Sequence, residues 1–171
     1  MSKSRKQLII VLACLALLAV VILVLAQLNK RDDLPESGQI SLKAGDEEAA
    51  LFTMEQIQAM PFVEVEKEIV SSNYANEKGL YRGVTMAELW SAAGVELERY
   101  QQMVVTSEDG YVAVFPVEEL LEPEAILLIY ARDGAGLGTM DDGGSGPFRI
   151  LAVEDQYGTR CAKYVSELAL K

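Results

Sequence analysis

The run Tyr81-Arg82-Gly83-Val84-Thr85-Met86-Ala87-Glu88-Leu89-Trp90-Ser91-Ala92-Ala93-Gly94 carries the densest local signals in this 171-residue chain. Thr85 is followed three residues later by Glu88, the spacing of a capping box, in which each side chain takes up a free backbone N–H of the first helical turn. Val84 and Leu89 stand where a hydrophobic staple brackets such a start. Gly94 supplies the left-handed residue that commonly ends a helix. The pattern predicts a short helix between Thr85 and Gly94. Trp90 within it reads as core.

Upstream, Thr53 and Gln56 repeat the capping-box spacing, with Phe52 and Ile57 as staple and Pro61 as the stop. Residues 62–70 alternate in part between apolar and charged side chains, as a half-buried strand does. Residues 71–79 are polar and loop-like. Downstream, residues 103–106 and 111–115 flank Asp109-Gly110, a strong hairpin signal. Residues 116–121 suit a helical turn and 125–130 a buried apolar strand. A glycine-rich loop runs from Asp133 to Gly146. Residues 148–153 and 160–165 read as strands around a turn at 155–158, and 166–170 close the chain. Strands outnumber helices and do not alternate with them regularly. The expected class is α+β, a mixed β-sheet domain with a few short helices, rather than a doubly wound sheet.

The N-terminus differs from all of this. From Leu8 to Ala26 the residues are uninterruptedly apolar, and Leu28 extends the run past Gln27. At about 1.5 Å per residue such a helix nearly spans a hydrocarbon core of about 30 Å. Lys3, Arg5 and Lys6 precede it, and Lys30 and Arg31 follow. The run exceeds the apolar region of a signal peptide, so one uncleaved transmembrane helix is expected. The basic excess on the N-side places that end in the cytoplasm. The expected organisation is a cytoplasmic tail at 1–7, an anchor at 8–28, a linker at 29–50 and an extracytoplasmic domain at 51–171. A short strand near residues 39–42 fits within the linker.

Composition excludes several chemistries. The chain has no histidine and two cysteines. It therefore holds no Ser-His-Asp triad, no histidine general base and no histidine-containing zinc site. Of 15 basic residues, ten lie from Asp32 onward, against all 26 acidic ones, so that part carries −16. Such a charge repels nucleic acid.

Each single candidate also has a simpler role. The loop Gly134-Ala135-Gly136-Leu137-Gly138 fails the dinucleotide fingerprint at Thr139. Ala135 and Leu137 occupy positions where a calcium loop needs oxygen ligands. Asp141 and Asp142 read as a solvated acidic loop. Asp109 is what a tight hairpin requires. Arg149 follows Gly146-Pro147 and starts a strand. It is either an anion clamp or the partner of a carboxylate, with Asp109 and Asp133 the nearest acids expected. Lys163 faces the same choice. Cys161 reads as a small buried hydrophobe.

Taken in order, these motifs resemble the oxidoreductase molybdopterin-binding domain family, the sulfite-oxidase catalytic-domain fold. Tyr81-Arg82-Gly83-Val84 with the Thr85 helix and Ala93-Gly94, the turn Asp109-Gly110-Tyr111, the strand Gly146-Pro147-Phe148-Arg149-Ile150-Leu151, and Gly158 with Lys163-Tyr164-Val165 each match one family segment. The resemblance covers roughly residues 51–170. It implies a molybdopterin cofactor whose metal is held by a cysteine in a loop after an early strand. The matching stretch Glu68-Ile69-Val70-Ser71-Ser72-Asn73 contains no cysteine, and Ser71 or Ser72 stands about where the thiolate would be. The expectation is therefore a non-catalytic, membrane-anchored member with no catalytic residue, no metal and no cofactor. It binds a small ligand or a membrane redox partner in a cleft bounded by residues 71–74, 109–111 and the loop 133–149, with Ser71, Ser72, Asn73, Tyr74, Asp109, Tyr111, Arg149 and Lys163 as the candidate binding residues. The rival expectations are a working molybdopterin-dependent oxidoreductase and a purely structural adaptor.

Overall fold

The computed structural model describes residues 3–28, 35–71 and 75–171, with side chains of the first helix described for 12–24. The chain divides into two compact units, Met1–Asp33 and Leu34–Lys171. The first contains one helix, α1 (Lys3–Leu28). Its described side chains are exposed, Leu12, Leu17 and Leu23 among them. Among the described residues no helix is long and apolar enough to cross a membrane. The span expected at 8–28 falls partly outside the residues whose side chains are described.

The second unit holds two sheets. The first has the order β2 (Glu47–Thr53), β1 (Gln39–Ala44), β10 (Val165–Leu170), β5 (Gln102–Ser107), β6 (Val112–Pro116). β1 and β10 are parallel and the other pairs antiparallel. The second sheet joins β3 (Val63–Ile69), β4 (Glu77–Thr85) and β7 (Ile126–Arg132). The far side of β7 is shared by β8 (Ala135–Gly136) and β9 (Arg149–Ala152). The expected α+β class with mixed sheet pairing is what the second unit has.

Local chemistry explains the elements. Thr53 and Gln56 form the complete capping box of α2 (Met54–Gln58). At α3 (Met86–Ala92), Thr85 accepts from the Glu88 N–H, and Met86, Leu89 and Trp90 are buried. Gly94 has φ +71°, as the helix end requires. α4 (Val117–Leu121) follows Pro116 and buries Val117 and Leu120. Gly83 is needed where β4 crosses β7, because a Cβ there would collide with the Leu128 carbonyl. β6 alternates exposed and buried residues along its length, as a strand with one covered face should. β9 and most of β7 are buried on both faces. These strands join Trp90, Phe115, Phe148 and Tyr81 in one continuous core.

Three expectations need correction. The linker predicted at 29–50 is sheet from Gln39 on, and β1 pairs with the C-terminal strand rather than standing free. The polar spelling of Glu47-Glu48 hid an edge strand whose partner is local. The polar loop predicted to run to Gly79 ends earlier, because β4 starts at Glu77 and pairs with Ile69. The strand predicted at 160–165 is instead a 3-10 turn at Gly158–Arg160 and irregular chain, with the strand beginning at Val165. Gly158 sits against Ile69, where a Cβ would clash.

Candidate functional site

Strand order brings four distant charges to one place. Glu77 opens β4, Arg132 ends β7, Arg149 opens β9, and Lys163 precedes β10. Arg149 Nη1 donates to Glu77 Oε2 at 2.7 Å. Lys163 Nζ lies 3.1 Å from Glu77 Oε1, and Arg132 Nη1 lies 3.5 Å from Oε2. Three cations thus converge on one carboxylate.

Burial makes the cluster uneven. The Arg149 side chain is 3% exposed, whereas Glu77 is 27% exposed. Burial of Glu77 opposes its ionisation. The hydrogen bonds and charges of Arg149 and Lys163 outweigh that effect and hold the carboxyl below its usual range. Among the described residues Arg149 Nε has no partner and is shielded from solvent. Beneath the pair, the buried Tyr81 hydroxyl donates to the Glu77 carbonyl at 3.1 Å. Burial pushes the Tyr81 phenol up.

The glycine-rich loop before Arg149 is held by its own backbone. Ser145 N donates to the Leu137 carbonyl at 2.9 Å, and Gly146 N donates to the Gly138 carbonyl at 2.8 Å. A Cβ on Gly144 or Gly146 would strike the opposing arm at residues 137–138. Tyr164 clamps the loop through a 2.9 Å bond to the Gly144 carbonyl. The peptide bond Gly146–Pro147 is cis. Asp142 is tied to Thr139 at 2.7 Å, which lowers its pKa.

The predicted site residues meet only in part. Arg149 and Lys163 come together, on Glu77. The acids expected to face Arg149 do other work. Asp133 accepts from the Leu80 N–H at 2.9 Å, and Asp109 accepts from the Tyr111 N–H at 2.9 Å within its own turn. The Tyr111 hydroxyl donates to the Thr159 carbonyl. Ser71 follows β3, and its N–H donates to Asn76 Oδ1 at 3.4 Å. Ser72, Asn73 and Tyr74 lie outside the described residues. Sequence reasoning missed Glu77 and Arg132. Glu77 was legible in principle: on a strand, residues 77, 79 and 81 share a face, so a buried Tyr81 turns Glu77 the same way.

A sequence model of the family described as oxidoreductase molybdopterin binding domain matches residues 31–171. The chain belongs to that family. The membership agrees with the resemblance carried by the motifs at 81–94, 109–111, 146–151 and 158–165. No curated protein matches the chain significantly. Among solved structures it is similar to the sulfane dehydrogenase SoxCD from Paracoccus pantotrophus, at 17% identity and a TM-score of 0.63. That alignment covers 77% of this chain but 37% of the SoxCD chain. This chain therefore spans little more than a third of that one, and the likeness concerns the fold.

The family implies a molybdopterin, and the donor set here fits it poorly. The resemblance implies a soft thiolate as the ligand to molybdenum. Cys161 is the only cysteine beyond Cys14, and it is 6% exposed. Desolvation pushes its thiol up, away from the thiolate form. Among the described residues no three His, Cys, Asp or Glu side chains gather as a metal cage. The cationic cluster at Arg149 suits an anion but already faces Glu77.

Proposed function

We propose that this family member works without molybdenum chemistry, as a membrane-anchored extracytoplasmic domain that binds a small anionic ligand or a membrane redox partner. The observation that carries the reading is the donor set. The stretch 68–71 at the end of β3 contains no cysteine, and the single thiol of the second unit is buried, which pushes its pKa up. No catalytic step is assigned to any residue. Arg149 and Lys163 are the groups with the charge and position to meet an anion. The Tyr81 hydroxyl holds the Glu77 carbonyl, and the Tyr164-clamped loop leads into the strand that Arg149 opens. The net −16 of the part from Asp32 onward argues against nucleic acid and against an anionic membrane surface as the partner.

The anchor part of the reading rests on the apolar run from Leu8 to Leu28, its basic flanks and the exposure of every described side chain of α1. Protease added outside intact cells should digest the domain and leave a membrane-bound stub. Full protection would invert the orientation.

Metal analysis tests the central claim. The full chain, purified in detergent from cells that make molybdenum cofactor, should carry no stoichiometric molybdenum. Stoichiometric molybdenum with pterin fluorescence would replace this reading with that of a molybdopterin-dependent oxidoreductase.

A further inference from the structure

The cluster at Arg149 holds more positive charge than a structural ion pair requires. One carboxylate suffices to neutralise one buried guanidinium. Here Lys163 and Arg132 are added; Arg132 also lies 3.8 Å from Asp133, so among the described residues the cluster keeps one positive charge beyond its carboxylates, in a chain with 26 acidic residues. Arg149 also keeps an unused donor, since its buried Nε has no partner among the described residues. Arginine can offer two parallel N–H groups to one oxyanion, yet Glu77 engages only Nη1. The two oxygens of Glu77 are shared among three cations. A phosphate group has more oxygens and carries up to two charges, so it matches this set better than a carboxylate does.

Glu77 is also placed to leave. It is the first residue of β4, it is part-exposed, and the two residues before it are exposed coil. Its register partner is Ile69 at the end of β3, so the side chain can swing away without breaking an interior ladder. Arg149 also opens its strand, but every residue of that strand is buried and its own side chain is almost fully enclosed.

We propose that Glu77 is a built-in occupant of an oxyanion site, and that a phosphate-type ligand binds Arg149, Lys163 and Arg132 by displacing its carboxylate. The proposal rests on the ligand-binding reading above and supplies the chemical class of that ligand. It makes the native protein a weak phosphate binder, because the ligand competes with a carboxylate tethered beside it.

The test uses full-length protein in detergent with inorganic phosphate and pyrophosphate as probes. Glu77→Gln keeps the shape and removes the competing charge. It should bind phosphate at least about tenfold more tightly than the native protein. Its melting temperature should fall in phosphate-free buffer and recover with phosphate, not with chloride at equal ionic strength. Adding Lys163→Met should abolish the gain. A folded Glu77→Gln with unchanged phosphate affinity overturns the proposal. So does a gain that survives Lys163→Met, because the anion then sits elsewhere. If Glu77→Gln fails to fold without phosphate, folding restored by phosphate but not by chloride supports the proposal, and failure in both overturns it. These outcomes are independent of the molybdenum analysis, so either claim can fall alone.

Discussion

Two arginines in this domain face carboxylates in opposite ways. Arg149 is buried, and it shares one carboxylate with two other cations. Arg160 is about one-third exposed and faces two carboxylates by itself. It donates to Asp155 from Nε at 2.8 Å and from Nη2 at 2.5 Å, and to Glu119 from Nη1 at 2.7 Å. Its guanidinium also lies 4.9 Å from the centre of the Phe115 ring. Asp155 and Glu119 push its pKa up despite partial burial. It borders a recess of about 390 Å³ lined also by Glu119, Glu122, Glu154 and Asp155, so its surroundings are anionic. Arg160 is saturated and Arg149 is not. A saturated arginine staples loops. A buried one with spare donors and surplus neighbours is the better candidate for recognition.

The largest effect should come from Arg149→Met. Removing one member of a buried pair typically costs 3–5 kcal/mol. Glu77 keeps Lys163 and some water, so a loss of about 3 kcal/mol is expected, read by chemical denaturation. A melt unchanged within error would show that Arg149 contributes nothing to the fold and serves ligand binding alone.

The second effect is a pH dependence at the Arg149 side. The Glu77 pKa is lowered in the folded state from an ordinary value of 4.5. A depressed carboxyl stabilises the fold fully above its unfolded pKa, and that contribution disappears as pH falls through the lower folded value. Native protein should therefore lose stability on acidification below about pH 4.5. Glu77→Gln should lose less across the same window. Parallel acid curves for the two would remove Glu77 from the account of acid unfolding.

How much of this was visible in the chain alone follows from how local each signal is. Caps and turns are short-range, so Thr53, Thr85, Gly94 and the Asp109-Gly110 hairpin were legible. The pairing of β1 with β10 joins residues some 126 positions apart, and no local pattern announces it. Residues 160–165 mislead for the opposite reason. Their composition is strand-like, but Gly158 must pack on Ile69 and the chain turns there. At the site, Arg149 and Lys163 were picked out because lone cations stand out in an acidic domain. Glu77 did not stand out, being one acid among 26, and only the β4–β7–β9 order reveals what it faces.

The smallest effect, and the sharpest check on the contrast between the arginines, is Glu119→Gln. Arg160 would keep both contacts to Asp155, which geometry makes the stronger partner. Glutamine still offers an oxygen to Nη1. Glu119 is itself more than one-third exposed, so its loss exposes no stranded charge. The variant also relieves repulsion among the four acids lining the recess. The change in stability should stay below about 0.5 kcal/mol, the scale of an exposed ion pair. Denaturation curves of Glu119→Gln and Glu77→Gln in phosphate-free buffer put the two arginines side by side. If Glu119→Gln destabilises as much as Glu77→Gln, Arg160 depends on each of its carboxylates as Arg149 depends on its one. The surplus of positive charge at Arg149 would then no longer set it apart as the recognition site.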